Sequence, residues 1–84
     1  MRRTSIVTEE RSYSVILEPQ EAGGFTVLVP ALPEIVTEGE TEAEALAMAE
    51  EAIRAVLKYR RDHGMPIPSD AVPEVRRVTV AAGV

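Results

Sequence analysis

Cysteine is absent from this 84-residue chain, which removes disulfides, thiolate nucleophiles and every cysteine-based zinc or iron–sulfur site. A cysteine-free composition fits a reducing cytoplasm. Tryptophan is also absent, and Tyr13, Phe25 and Tyr59 are the only aromatic residues, so the apolar bulk comes from Val, Leu, Ile and Ala. With one histidine, His63, there is no second imidazole for a metal set or a catalytic pair. No window approaches the roughly 18 consecutive apolar residues of a membrane span. The opening residues, Met1 to Glu10, hold no apolar run and do not read as a signal peptide. Basic charge is scarce: 14 Asp and Glu outnumber nine Lys and Arg, for a formal net charge of −5. A chain of this sign repels nucleic acid and favours a basic protein partner. The two basic clusters, Lys58 to Arg61 and Arg76-Arg77, carry no nucleic-acid motif, so direct binding through Arg60, Arg61, Arg76 and Arg77 is not expected.

What is present is one small domain, 1–84, with strand signals followed by a helix. In 12–18, Tyr13, Val15 and Leu17 alternate with Ser14, Ile16 and Glu18, the period of a half-buried strand. Gly23-Gly24 suits a hairpin connection that needs positive φ, and 25–29 then continues with Phe25, Val27 and Val29 facing inward. Pro30 and Pro33 interrupt the ladder, and 34–38 reads as a third strand, completing a meander. Thr41 is the expected N-cap of a long helix, with Glu44 three residues later. Ala45, Leu46, Ala49, Ala52, Ile53, Val56 and Leu57 form its apolar stripe, and Gly64 is placed to end it in the left-handed conformation. After Pro66 and Pro68, 75–80 alternates from Arg77 onward and reads as an edge strand. The expected architecture is α/β of the α+β type: a three-stranded antiparallel meander, one long helix on one face and a final edge strand, in the order β-β-β-α-β.

Catalytic chemistry finds little footing. Glu34, Glu38 and Glu40 could hold a divalent ion only by converging on a cleft, whereas Glu44 is engaged by the cap and Glu50 pairs with Arg54 one turn on. No serine sits in a nucleophile-elbow pattern, and Gly23-Gly24 leads into a strand rather than a phosphate-binding helix. The chain is therefore expected to be no enzyme and to need no metal or cofactor. Surfaces remain. Ile16, Leu28 and Val36 fall on the side away from the core and form a candidate second apolar patch. A helix of about 30 Å outruns the strands, so its end, with Tyr59, Arg60 and Met65, is a second candidate interface. Val78 and Val80 of the last strand are a third.

Taken together, Tyr13-x-Val15, Gly23-Gly24-Phe25-Thr26-Val27, Pro30-Ala31-Leu32-Pro33, Thr37-x-Gly39-x-Thr41-x-x-Glu44-Ala45 and Ile67-Pro68 closely resemble the HicB-like antitoxin domain of type II toxin–antitoxin systems, over about residues 13–80. The resemblance implies a pared-down ribonuclease H fold without that enzyme's metal carboxylates. It also implies assembly into homodimers or homotetramers, and a small basic HicA-type toxin, an mRNA-cleaving ribonuclease whose active site the antitoxin masks. Gly23, Gly24, Pro30, Leu32, Pro33, Thr37, Gly39, Thr41, Glu44 and Ala45 would be framework residues and none of them catalytic. Two departures stand out. Glu34-Ile35 replaces the family's usual Gly-Cys after Leu-Pro, so the turn there must form without glycine. The expected domain also lacks the C-terminal DNA-binding segment that many relatives carry.

Overall fold

A computed structural model describes residues 10–83. The described chain folds as β1 (Ile16–Pro19), β2 (Phe25–Leu28), β3 (Val36–Gly39) and α1 (Glu42–Asp62). The sheet is an antiparallel meander in the order β1-β2-β3, and the helix packs on one face, chiefly over β2 and β3.

Each connection has a local cause. Between β1 and β2 the Gln20 amide donates to the Gly24 carbonyl at 3.0 Å, and the turn closes through φ of 99° at Gly23 and 84° at Gly24, a region that side chains resist. After β2, Pro30 ends the ladder and the chain makes two successive turns, Leu32 N–H to Val29 O at 2.9 Å and Ile35 N–H to Leu32 O at 3.0 Å. These turns drive Leu32 and Ile35 into the core beside Val29. The segment is thus a plug as well as an interruption. Because Ile35 is spent on the plug, β3 begins at Val36, two residues later than expected. No described residue other than glycine has positive φ, so the turn at Glu34-Ile35 forms without glycine, as the sequence requires. Gly39 ends β3 where the helix passes closest: a Cβ there would overlap the Ala45 backbone.

The helix ends match their signals with one exchange of partners. Thr41 Oγ1 accepts the Glu44 amide at 3.0 Å, but the Glu44 carboxylate accepts from the Glu40 amide at 2.7 Å rather than from Thr41. The chain bends tightly between Gly39 and Thr41, which brings the Glu40 N–H within reach. At the other end Met65 N–H bonds Arg60 O at 2.7 Å and Gly64 N–H bonds Arg61 O at 3.2 Å, with Gly64 at φ 66°. That pair of bonds is the Schellman closure.

The core is thin, as a domain this small dictates. Two adjoining clusters make it: Val27 with Ala45 and Ala49, and Val29 with Leu32 and Ile35. Tyr13, Val15, Leu17, Phe25, Ile53, Val56 and Leu57 pack around them. The two buried alanines let the helix lie close to β2. Leu46, expected as a helix anchor, is 40% exposed instead, because it sits on the flank of α1 that opens into a groove beside Arg11, Tyr13 and Val15.

Past the helix, the chain is tied back to the start of the sheet. Tyr13 Oη donates to the Pro68 carbonyl at 2.6 Å, and the Ser14 amide and hydroxyl both donate to the Asp70 carboxylate at 2.7 Å. The final edge strand expected at 75–80 is not formed among the described residues, where 71–83 runs without turn, bend or ladder partner. Pro73 lacks the N–H that would extend pairing from the Asp70 tie, and beyond it the valines face solvent.

Candidate functional site

Sheet register decides what the uncovered face presents. Ile16 lies opposite Leu28, and Leu28 opposite Val36, so the three expected patch residues form one row across all three strands. They alternate with Leu17, Val27 and Thr37, whose row faces the helix. Val36 is 63% exposed, while Ile16 and Leu28 shield one another in part. Two residues along, Glu18, Thr26 and Glu38 form the next row. Among the described residues neither of these carboxylates is held in an ion pair. An apolar stripe bordered by unneutralised acids suits a partner with an apolar anchor and basic surroundings.

The second candidate surface divides. Tyr59 is exposed and stacks on His63, ring centroids 4.0 Å apart, and Met65 is also exposed. His63 itself is a cap residue, its Nδ1 lying 2.8 Å from the Tyr59 carbonyl oxygen. Arg60 is not available in the same way. Its side chain, only 19% exposed, bonds the Glu34 carboxylate at 2.8 Å and the Pro66 carbonyl at 3.2 Å. The guanidinium pins the helix end to the plug and the outgoing chain, and the hydrogen bond it donates lowers the Glu34 carboxyl below its ordinary range. On the same turn, Lys58 bonds Asp62 at 2.7 Å and lowers that carboxyl likewise. The third candidate pair, Val78 and Val80, stands in the unpaired tail.

Catalytic alternatives lose their residues to other tasks. Glu34 belongs to Arg60, Glu38 lies on the open sheet face, and among the described residues no three His, Cys, Asp or Glu side chains gather as a metal would require. Nor does any described helix have the length and apolarity to cross a membrane. The framework positions read from the sequence hold geometric posts: Gly23 and Gly24 the hairpin, Leu32 the plug, Gly39 and Ala45 the strand–helix contact, and Thr41 and Glu44 the cap.

Two features were not read from the sequence. One is the Tyr13–Pro68 and Ser14–Asp70 tie, joining residues 55 and 56 positions apart. The only hint is Asp70 following a stiff proline segment. The other is a groove of about 270 Å³ between the stretch leading into β1 and α1, lined by Arg11, Tyr13, Val15, Leu46, Ala49, Glu50 and Ile53. Leu46, at the margin of the helix stripe, was its one signal.

Similarity to known proteins converges on a single family. The model of the HicB-like antitoxin of bacterial toxin–antitoxin systems matches residues 13–80. A UPF0150 protein of Thermoplasma acidophilum is 43% identical over 63 residues, covering 75% of this chain and 91% of that one. Antitoxin HicB 1 of Photorhabdus laumondii is 37% identical over 62 residues, 74% of this chain and 40% of its own. Antitoxin HicB of Escherichia coli is 39% identical over 59 residues, 68% and 43% respectively. The chain therefore spans less than half the length of those two antitoxins. No solved structure matches. A match covering residues 13–80, nearly the whole chain, means that the chain belongs to the HicB-like antitoxin family of bacterial toxin–antitoxin systems.

Proposed function

We propose that this chain is a cytoplasmic antitoxin module that neutralises a small basic HicA-type, mRNA-cleaving toxin by laying its open sheet face over the toxin's active site. The observation that carries this reading is the Ile16–Leu28–Val36 row bordered by Glu18 and Glu38. The apolar row supplies burial, about 25 cal/mol for each Å² withdrawn from water. The acids, in a chain of net charge −5, steer a basic ribonuclease and disfavour RNA itself. Masking needs no catalytic group on the antitoxin; a rigid face that excludes substrate is sufficient. Family membership supports the toxin–antitoxin setting, and the open face supports the mode of contact.

The test is an RNA-cleavage assay with the HicA-type toxin encoded in the same genome. Addition of the wild-type chain is expected to stop cleavage at a stoichiometric ratio, and Leu28→Asp to weaken inhibition at least about 30-fold, the effect of a lost central apolar anchor. Unchanged inhibition by Leu28→Asp would exclude this face.

A further inference from the structure

The open sheet face alternates in a way that restricts what can lie on it. Its apolar row, Ile16, Leu28 and Val36, is followed on the same side by Glu18, Thr26 and Glu38. Two residues along an extended strand set these rows about 6.8 Å apart. Across the rows, β1 and β3 stand roughly 9.6 Å apart, twice the spacing of neighbouring strands. Among the described residues only α1 lies over the sheet, and it covers the opposite face, where Leu17 and Val27 meet Ala45 and Ala49.

We propose that the open face takes an amphipathic helix of the partner protein. The helix lies along the strands, with an apolar side chain on the Ile16–Leu28–Val36 row and an Arg or Lys one turn away between Glu18 and Glu38. This rests on the toxin-binding reading for the partner's identity and adds the structural element and the residue pattern that the face recognises.

Dimensions and charge select a helix. Its diameter with side chains, about 10–12 Å, matches the breadth of the three strands, and its residues i and i+4 stand about 6 Å apart along the axis, close to the row spacing. An amphipathic helix presents a narrow apolar stripe with a charged border, the complement of this face. A partner sheet would bring further apolar rows over Glu18 and Glu38 and strand both carboxylates without water or counter-charge. An added strand would use the backbone of a sheet edge and leave the face bare. A cationic side chain above Thr26 has one acid on each neighbouring strand, Glu18 on β1 and Glu38 on β3, and neither is held in an ion pair among the described residues. The same acids turn RNA away. The docked helix gives the sheet a layer on each side and enlarges a core that is thin in the single chain.

The full-length chain serves in both arms of the test. The first is a nuclear magnetic resonance titration with an Ala-rich helical peptide of about 14 residues, long enough to hold a helix, carrying Leu and Arg one turn apart on one face. Amide shifts are expected to concentrate at Ile16, Glu18, Thr26, Leu28, Val36 and Glu38. The same peptide with Glu in place of Arg should bind at least about tenfold more weakly, and Glu18→Arg/Glu38→Arg should reverse that order. In the second arm Val36→p-benzoylphenylalanine, at a row position that is 63% exposed, is irradiated in the presence of the HicA-type toxin of the same genome. Crosslinks should fall on toxin residues three or four apart, the period of a helix. A peptide that shifts nothing on this face, a peptide preference that ignores the Glu18 and Glu38 reversal, or crosslinks at alternate toxin residues, the period of a strand, would each overturn the proposal. So would row shifts that depend on the concentration of the chain alone, the sign of a second copy on the face. A chain that binds the peptide and no toxin supports the docked helix and refutes the toxin reading, so the two fail separately.

Discussion

β2 and the tail carry the same kind of sequence and meet different fates. Phe25-Thr26-Val27-Leu28-Val29 is rich in β-formers with Phe25, Val27 and Val29 at alternating positions, and the tail repeats the pattern from Arg77 onward with Val78 and Val80. The first is paired on both sides, with Val27 and Val29 almost fully buried; the second has no ladder and its valines are exposed. Alternation therefore specifies which face a segment buries, and a neighbouring edge decides whether it is buried at all. Within β2 that neighbour comes from tight local turns. For the tail the nearest edge, β1, is in reach only as far as Asp70.

Substitutions should separate the two regions by size of effect. Leu32→Ala, which empties the centre of the plug, is expected to cost about 2–5 kcal/mol in equilibrium urea unfolding. A loss below 1 kcal/mol would mean that the plug is not part of the core. Gly39→Ala forces a methyl against the Ala45 backbone and should cost about 1–3 kcal/mol, with a helix displaced from β3 as its structural sign. Thr41→Ala removes the bond to the Glu44 amide and should cost about 0.5–2 kcal/mol; a wild-type denaturation midpoint would place the helix start elsewhere. In the tail, Val75→Ser should leave unfolding of the monomeric chain within about 0.5 kcal/mol of wild type.

Acid probes the tie between the regions. The Ser14 amide and hydroxyl bond the ionised Asp70 and lower its pKa below the ordinary 3.8. A depressed carboxyl contributes stability that is full above its unfolded-state pKa and lost as pH falls through the folded-state value. The Ser14 amide resonance should therefore titrate with a midpoint below 3.8, and in Asp70→Asn that transition should vanish. A midpoint at or above 3.8 would mean that the tie does not persist in solution.

Much of the body was legible because its signals are local. The paired glycines, the prolines around Leu32, the Thr41–Glu44 cap and Gly64 each fix a backbone feature within a few residues of themselves. The open-face row was legible as three separate residues, since alternation assigns Ile16, Leu28 and Val36 to one side; their alignment awaited the register. Arg60 also pins the plug, a task that nothing local reveals because its partner Glu34 lies 26 residues away. Leu46 was misread as core because a helical stripe gives direction without showing where the sheet ends. The Ser14–Asp70 tie was out of reach for the same reason: a contact spanning 56 residues leaves no periodic trace.

The most direct test of the antitoxin reading measures inhibition of the HicA-type toxin of the same genome on an RNA substrate, comparing wild type, Leu28→Asp and Val78→Asp. Complete inhibition by wild type and Val78→Asp, together with at least about 30-fold weaker inhibition by Leu28→Asp, is the result expected if the open sheet face masks the toxin. Undiminished cleavage in the presence of the wild-type chain, or full inhibition by Leu28→Asp, would contradict it.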